Sequence, residues 1–208
     1  MNRPIRSFVL RQGRTTPAQK RALDTLLPVY GISFPEKIGS ERPLVLEIGS
    51  GMGETTLAIA KAHPETDFIA IEVHGPGVGS LLNGIQKEAL RNLRVVRHDA
   101  VEVLERMVGD GSLTAVHLFF PDPWPKKRHH KRRLVQAPFV TLLEKKLMPG
   151  GIVHAATDWP DYAVWIEAAF SRWEKASRGF AERPTTKFEA RGRKLGHPIR
   201  DLFFRRRR

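Results

Sequence analysis

The sequence predicts an α/β domain with a mainly parallel sheet and helices on both faces. From residue 44 onward, short β-branched and apolar runs alternate with longer segments of helical character, which is the pattern of parallel α/β units. The chain has 208 residues, enough for one large domain at roughly 150 residues each. Its 41% hydrophobic and 27% charged residues are typical of a soluble globular protein.

The predicted strands and helices follow one another in regular alternation. The strands are Leu44–Ile48, Phe68–Val73, Leu93–Val96, Ala115–Phe120 and Ile152–Ala156. The helices between them are Glu54–Ala62, Val78–Glu88, Ala100–Met107 and Pro138–Lys146. Parallel crossovers of this length are almost always right-handed, so helices should cover both faces of the sheet.

The two ends of the chain complete this prediction. Apolar residues at helical spacing predict an amphipathic helix over Tyr162–Lys175. Glycines and a proline between two short apolar runs in Thr185–Phe204 predict an antiparallel hairpin that finishes the sheet. Residues 1–40 hold scattered Pro, Gly and Arg with one helix near Gln19–Leu27, and we expect a partly flexible basic arm. The domain then spans 41–204, and 205–208 form a basic tail.

Positive charge is concentrated in two short segments. The net charge is +13, from 35 Lys and Arg against 22 Asp and Glu. Residues 126–133 and the tail at 205–208 carry most of it. Clustered positive charge indicates a polyanion partner, because each neutralised phosphate releases condensed counterions. Nucleic acid is therefore the leading candidate.

Cysteine is absent from the chain. This excludes disulfide frameworks, thiolate zinc sites and a cysteine nucleophile, and it fits a reducing compartment. The sequence contains neither a signal-peptide core nor a run of ~18 apolar residues. We therefore expect a cytoplasmic protein with no membrane partner.

A glycine turn joins the first predicted strand to the first helix. Gly49, Gly51 and Gly53 follow the strand directly, and glycine suits a place where the chain turns sharply and a ligand approaches the backbone. Ligands of such sheets bind beyond the carboxyl ends of the strands. The spacing G-x-G-x-G differs from the G-x-G-x-x-G of dinucleotide sites.

Acidic residues surround this turn. Glu47 precedes it, Glu72 ends the second strand where a carboxylate can accept from ribose hydroxyls, and Asp99 follows the third strand, near where an adenine would lie. Glu47 and Glu54 would repel a pyrophosphate, whereas S-adenosylmethionine is a cation without phosphate. The pattern favours S-adenosylmethionine; a dinucleotide site and a purely structural turn are the alternatives.

The fourth strand runs into a proline-rich and then a basic segment. Pro121 and Pro123 flank Asp122 and restrict its backbone to an extended conformation beside Trp124. A carboxylate next to an aromatic plane can receive a flat base, and the following Lys and Arg residues can contact phosphates. The alternative is a rigid solvent loop followed by a solvated charge run.

Three further polar residues are candidates for contacts at the cleft. No third ligand lies at metal spacing from His129 and His130, so we expect RNA contact or a solvated loop there and no metal site. Asp158 follows the fifth strand. It either faces the cleft or caps the next helix.

Five segments together carry a resemblance to a known family. They are EIGSGMGE at 47–54, IEVH at 71–74, PDPWPKKRHHKRR at 121–133, ATDW at 156–159 and TKFEARG at 186–192. They look like the bacterial tRNA (guanine-N7)-methyltransferases, which modify a guanine in the tRNA variable loop. The similarity extends from about residue 40 to 204 and implies a Rossmann-like class I methyltransferase fold with S-adenosylmethionine and tRNA as partners.

The resemblance also implies a role for each matching residue. Contacts with the methyl donor are implied for Glu47, Gly49, Gly51, Gly53, Glu72, Asp99 and Asp122, and Asp122 is also the implied catalytic residue. Substrate contacts are implied for Lys126, Asp158, Thr186, Lys187, Phe188 and Glu189. RNA contacts are implied for Arg128, His129, His130, Lys131, Arg132 and Arg133.

The chemistry of guanine N7 sets what the site has to do. This nitrogen has a lone pair and no proton, so attack on a sulfonium methyl group requires positioning more than a strong base. The product ring is cationic, and Asp122, with Asp158 or Glu189, could stabilise the developing charge. The alternatives are a tRNA-binding protein without activity, a nicotinamide-dependent enzyme and a methyltransferase for another RNA base. The sequence leaves monomer and homodimer both open.

Overall fold

The computed structural model describes residues 6–9, 13–185, 189, 196 and 198–207. Its strands are β1 (Leu44–Ile48), β2 (Asp67–Ile71), β3 (Leu93–Val96), β4 (Leu113–Phe119), β5 (Leu147–Thr157), β6 (Glu174–Lys175) and β7 (Arg200–Arg205). They form one sheet in the order β3-β2-β1-β4-β5-β7-β6. The first five strands are parallel, and β7 runs antiparallel to both β5 and β6.

Helices cover both faces of this sheet. They are α1 (Pro17–Thr25), α2 (Leu27–Tyr30), α3 (Glu54–Ala62), α4 (Gly75–Lys87), α5 (Ala100–Arg106), α6 (Ala137–Lys146) and α7 (Pro160–Ala169), with a 3₁₀ helix at Lys127–Arg132. The central strand β1 is buried at every position. Leu46 packs in the core beneath α5, α6 and α7, and Val45 packs in the core beneath α1, α3 and α4. A strand buried on both faces is apolar almost throughout, which is why it was recognisable in the sequence.

The predicted fold class is confirmed, with differences at the element ends. The helix predicted for Tyr162–Lys175 ends at Ala169, because a turn closed by the Trp173 N–H and the Phe170 carbonyl, 2.9 Å apart, follows it. β6 then pairs with β7. The sheet therefore ends in antiparallel strands, as predicted. However, both partners of β7, which are β5 and β6, come earlier in the chain than the predicted hairpin at Thr185–Phe204. Most of the other arm of that hairpin, at 186–195, lies outside the described residues.

The segment before β1 packs against the sheet domain. Thr16 caps α1 in a capping box with Gln19, which starts the helix two residues before the predicted position. Ala22 of α1 is buried in the same core as α4. Farther along, the Ile32 N–H donates to the Val95 carbonyl at 2.9 Å. The division of the chain at residue 40 stays a prediction, although these contacts join the two parts. None of the described helices is long and apolar enough to cross a membrane.

Candidate active site

The glycine turn leaves open space at the carboxyl end of β1. Gly49 and Gly51 have φ of +77° and +56°, and a Cβ at either position would meet nothing within 4 Å. Gly53 differs, since its Cβ would lie 2.5 Å from Cδ1 of Leu81 on α4. The first two glycines therefore keep the ligand side clear, and the third permits α3 and α4 to pack closely.

The Glu72 carboxylate holds this turn in place. Its Oε2 accepts from the Gly51 N–H at 2.8 Å, and its Oε1 accepts from the His74 N–H at 2.8 Å. Glu72 as a whole is 9% exposed. The sequence indicated a ligand contact for Glu72, which stays a prediction, and the structure adds a role in shaping the loop.

Glu47 lies beneath the turn and is 4% exposed. Burial raises the pKa of Glu47 to about 7; the neighbouring Thr56 side chain acts in the opposite direction, and the charge of Glu72 raises it further. A carboxyl group in this state exchanges its proton near neutral pH. A cationic ligand placed beside it would favour the ionised form.

A cavity of about 240 Å³ brings three of the predicted donor-site residues together. Its lining includes Gly49, Glu72 and Asp122. Asp99 lines an adjoining cavity of about 210 Å³, which shares His98 with the first. Asp99 also caps α5, because its Oδ1 accepts from two backbone N–H groups at the start of the helix. Asp99 therefore lies beside the cavity that Gly49 and Glu72 line, and does not itself line it.

The loop that carries Asp122 is held in a strained conformation. Phe120 and Trp124, on either side of it, have φ of 52° and 44°, which side-chain-bearing residues rarely adopt and which costs on the order of 1–3 kcal/mol each. The Phe120 N–H donates to the Ala156 carbonyl at 2.7 Å. The Pro123 carbonyl accepts from Nε of Arg133 at 2.8 Å. Such strain persists only where surrounding contacts enforce it, and it is common at functional sites.

Arg133 is a correction to the sequence prediction. Its side chain is 1% exposed and pairs with Asp161 at 2.8 Å, and its guanidinium lies 4.9 Å from the Tyr162 ring and 4.8 Å from the Trp165 ring. A guanidinium enclosed in this way does not reach a surface-bound RNA. Arg133 instead supports the Asp122 loop through its hydrogen bond to the Pro123 carbonyl.

The rest of the basic segment is at the surface. Lys126, Lys127, Arg128 and Lys131 are exposed, and Cζ of Arg132 lies 4.5 Å from the centre of the Trp124 ring.

The two histidines of this segment are half-buried. The His129 ring meets Trp124 edge-on at 5.9 Å, and the His130 ring meets Trp165 at 5.6 Å. Partial burial and the neighbouring cations, Arg128 first among them, hold the pKa of His129 below its usual value. These positions are compatible with the RNA contacts predicted for the segment, which stay predictions.

The remaining substrate candidates divide into three groups. Asp158 is half-buried directly after β5, and its interpretation as a helix cap is wrong, because Trp159 is the N-cap of α7 and has no side-chain cap bond. Thr186, Lys187 and Phe188 lie outside the described residues. Glu189 is 2% exposed.

The sequence analysis missed a contribution from the N-terminal segment. Ser7 and Phe8 line the same cavity as Asp122. The Ser7 carbonyl accepts from Nε1 of Trp124 at 3.0 Å. No periodicity or motif marks these residues, so only the folded chain brings them to the cleft.

Sequence and structure comparisons agree with this geometry. Residues 41–202 match the family Methyltransf_4, described as "Putative methyltransferase". The chain is 54% identical to a tRNA (guanine-N(7)-)-methyltransferase of Neisseria meningitidis over 98% of this chain and 92% of that protein. It is 54% identical to one of Nitrosomonas eutropha, over 97% and 96% of the two chains. It is also 55% identical to one of Methylobacillus flagellatus, over 98% and 92%.

Solved structures share the fold at low sequence identity. The 16S rRNA methyltransferase KamB matches with a TM-score of 0.58 and 14% identity, over 96% of this chain and 99% of that chain. A 16S rRNA (adenine(1408)-N(1))-methyltransferase from Catenulisporales acidiphilia matches with a TM-score of 0.54 and 16% identity, over 95% of each chain. The near-complete match with relatives at more than 50% identity shows that this chain belongs to the tRNA (guanine-N(7)-)-methyltransferase family.

Proposed function

We propose that this protein transfers the methyl group of S-adenosylmethionine to N7 of a guanine in the tRNA variable loop, giving 7-methylguanosine. The observation that carries the proposal is the position of Asp122, on a strained loop at the cavity that Gly49 and Glu72 also line. In this proposal, Asp122 acts between the donor pocket and the basic segment at 126–133 that follows it in the chain. The named activity of the relatives supports the choice of base.

The donor pocket fits S-adenosylmethionine. Gly49 and Gly51 leave room for a ligand against the backbone, and Glu47, Glu72 and Asp99 supply negative charge around it. A sulfonium and an ammonium group match these carboxylates, whereas a pyrophosphate would be repelled. When bound, the donor supplies a methyl group on a positively charged sulfur, which a ring nitrogen can attack.

The acceptor side works by positioning and by charge. Guanine N7 has no proton to lose, so no general base is required. Asp122 holds the base edge and stabilises the positive charge that develops on the ring. Its loop is fixed by the Phe120 and Arg133 contacts, so little reorganisation is needed when the base arrives. Asp158, directly after β5, is a second carboxylate at this rim.

The RNA surface follows from the same geometry. Lys126, Arg128, Lys131 and Arg132 follow the Asp122 loop in the chain and are exposed or half-buried, so they can bind phosphates and orient the tRNA. We assign residues 41–204 to the methyltransferase domain, 1–40 to a basic arm and 205–208 to a tail; the family match at 41–202 supports this division. A tRNA-modifying enzyme acts where tRNA is found, so the proposal places the protein in the cytoplasm.

Nucleoside analysis tests the reaction directly. The purified protein is incubated with methyl-labelled S-adenosylmethionine and unmodified tRNA, and the digested RNA is separated by chromatography. We expect the label in 7-methylguanosine. Label in another nucleoside would overturn the acceptor base. No label, with both ligands shown to bind, would favour a binding protein that lacks activity.

The role of Asp122 is tested by Asp122→Asn. The amide keeps the shape but removes the negative charge, so kcat should fall by on the order of 100- to 1000-fold, the usual loss when one charge-stabilising group is removed. The tRNA Kd should stay close to that of the unmodified protein. Asp24→Asn, an exposed carboxylate on α1, is the control. Full turnover by Asp122→Asn would show that Asp122 is not catalytic.

A further inference from the structure

A buried guanidinium joins two carboxylates behind the acceptor site. The Arg183 side chain is 5% exposed and donates to both Glu189 and Asp201. Its Nε lies 3.1 Å from Oδ1 of Asp201, and its Nη2 lies 3.2 Å from Oδ2. On the other side, Nη1 donates to Oε2 of Glu189, and Nη2 lies 3.2 Å from Oε1. Arg183 therefore makes a two-pronged contact with each acid, a geometry that lysine cannot reproduce.

The network continues into the sheet. Oδ1 of Asp201 on β7 lies 2.7 Å from Nε2 of His154 on β5. Burial alone would raise the pKa of Asp201, but the hydrogen bonds of His154 and Arg183 hold it at about 2. Glu189 and Asp201 are thus both paired with a permanent cation, and Asp201 is also hydrogen-bonded to His154 on β5. The Arg183 guanidinium is anchored to a rigid element.

The same guanidinium also contacts the start of the Asp122 loop. Its Cζ lies 5.7 Å from the ring centre of Phe119, the last residue of β4, and 5.2 Å from that of Phe120. Phe120 is one of the two residues with positive φ beside Asp122. Phe119, Phe120 and Asp122 all line the donor cavity. Arg183 is thus in contact both with Phe120, at the start of the Asp122 loop, and with Glu189, a second acceptor-site candidate.

We propose that Arg183 is a positioning residue for methyl transfer, which holds Glu189 and the Asp122 loop in a fixed position relative to each other. This inference rests on the proposed function. It assigns Arg183 no contact with substrate, since its donors are engaged with carboxylates and its side chain is enclosed. The expected consequence is a loss in the rate of the chemical step that exceeds any loss of donor affinity, because Arg183 meets the Phe119 and Phe120 side of the cavity, and the contacts of this network among the described residues do not include the glycine turn or Glu72.

Arg183→Lys tests the inference, because it keeps the positive charge and loses the paired geometry. We expect kcat to fall by on the order of 10- to 100-fold, the size of effect that a misplacement of about 1 Å produces. The KM and Kd for S-adenosylmethionine should change by much less than kcat. Arg42→Lys is the matched control, since Arg42 also pairs with an aspartate, Asp67, but at the start of β2 and hence at the opposite end of the sheet.

A double-mutant cycle separates positioning from general support of the fold. Glu189→Gln keeps a hydrogen-bond-accepting oxygen and nearly the same side-chain size. Its kcat is measured in the single variant and in the double variant with Arg183→Lys. If Arg183 acts through Glu189, the two losses in kcat will not multiply. Should Arg183→Lys fold poorly, as judged by its melting temperature, Asp201→Asn weakens the same anchor and is expected to show the same selective loss of kcat.

Each outcome of these measurements is decisive. Wild-type kcat in Arg183→Lys, or a loss of kcat accompanied by an equal loss of donor affinity, would overturn the positioning role. The labelled nucleoside from the wild-type protein tests the proposed function separately. If the wild-type protein methylates another base, the kcat comparison still decides the role of Arg183.

Discussion

Glu47→Gln should stabilise the ligand-free protein at alkaline pH. The Glu47 side chain is buried beneath the glycine turn, and burial raises its pKa from 4.5 to about 7. Above pH 7 the folded protein therefore contains a charged group that lacks adequate solvation. Glutamine has nearly the same shape and never carries this charge.

The size of the expected change in the free energy of unfolding follows from the shift in the pKa of Glu47. The folded protein binds the Glu47 proton more tightly than the unfolded chain does, so the stability contributed by the protonated group is complete below pH 4.5 and is lost as the pH rises to 7. At about 1.4 kcal/mol per pKa unit, this loss is about 3 kcal/mol. The free energy of unfolding of Glu47→Gln, relative to the wild-type protein, should therefore increase by about 3 kcal/mol between pH 4 and pH 8.

Urea unfolding of both proteins at several pH values measures this difference. Other titrating groups affect both proteins alike and cancel in the comparison. Glu54→Gln, at an exposed carboxylate on the first turn of α3, is the control and should show no comparable gain, because water solvates its charge. If the difference in the free energy of unfolding between Glu47→Gln and the wild-type protein does not change with pH, the reasoning is refuted. It is also refuted if Glu47→Gln is less stable than the wild-type protein at pH 8.

Three further predictions concern ligand binding and packing. S-adenosylmethionine should bind more weakly as the pH falls from 8 to 6, because protonation near pH 7 removes the Glu47 charge; calorimetric titration should show the dependence in the wild-type protein and not in Glu47→Gln. Gly49→Ala should weaken donor binding and lower the melting temperature slightly, because its φ of +77° is strained for alanine; Gly53→Ala should lower the melting temperature more, because its Cβ would also meet Leu81 at 2.5 Å. Arg133→Met should lower the free energy of unfolding by about 2 kcal/mol through lost charged hydrogen bonds. Arg132→Met should instead weaken tRNA binding and reduce the magnitude of its salt slope by about 1, as measured by filter binding at several salt concentrations.

The arrangement of the candidate donor site could be predicted from the chain alone. β1, the glycine turn and α3 are contiguous, and each has a local signature: a run of buried apolar residues, glycines at the turn, and a helix that begins at Glu54. Glu72 and Asp99 follow neighbouring parallel strands. Parallel strands end at the same edge of a sheet, so topology alone brings these acids together.

The tertiary structure decided the roles of residues whose partners are far away in the sequence. Arg133 belongs to a run of cations, and its burial depends on Tyr162 and Trp165 of α7. Arg183 meets Asp201 only because β7 inserts beside β5. Sequence patterns report periodicity and local turns, which short-range sterics and burial impose. Which of several identical charges is enclosed depends on long-range packing, and that leaves no local signature in the chain.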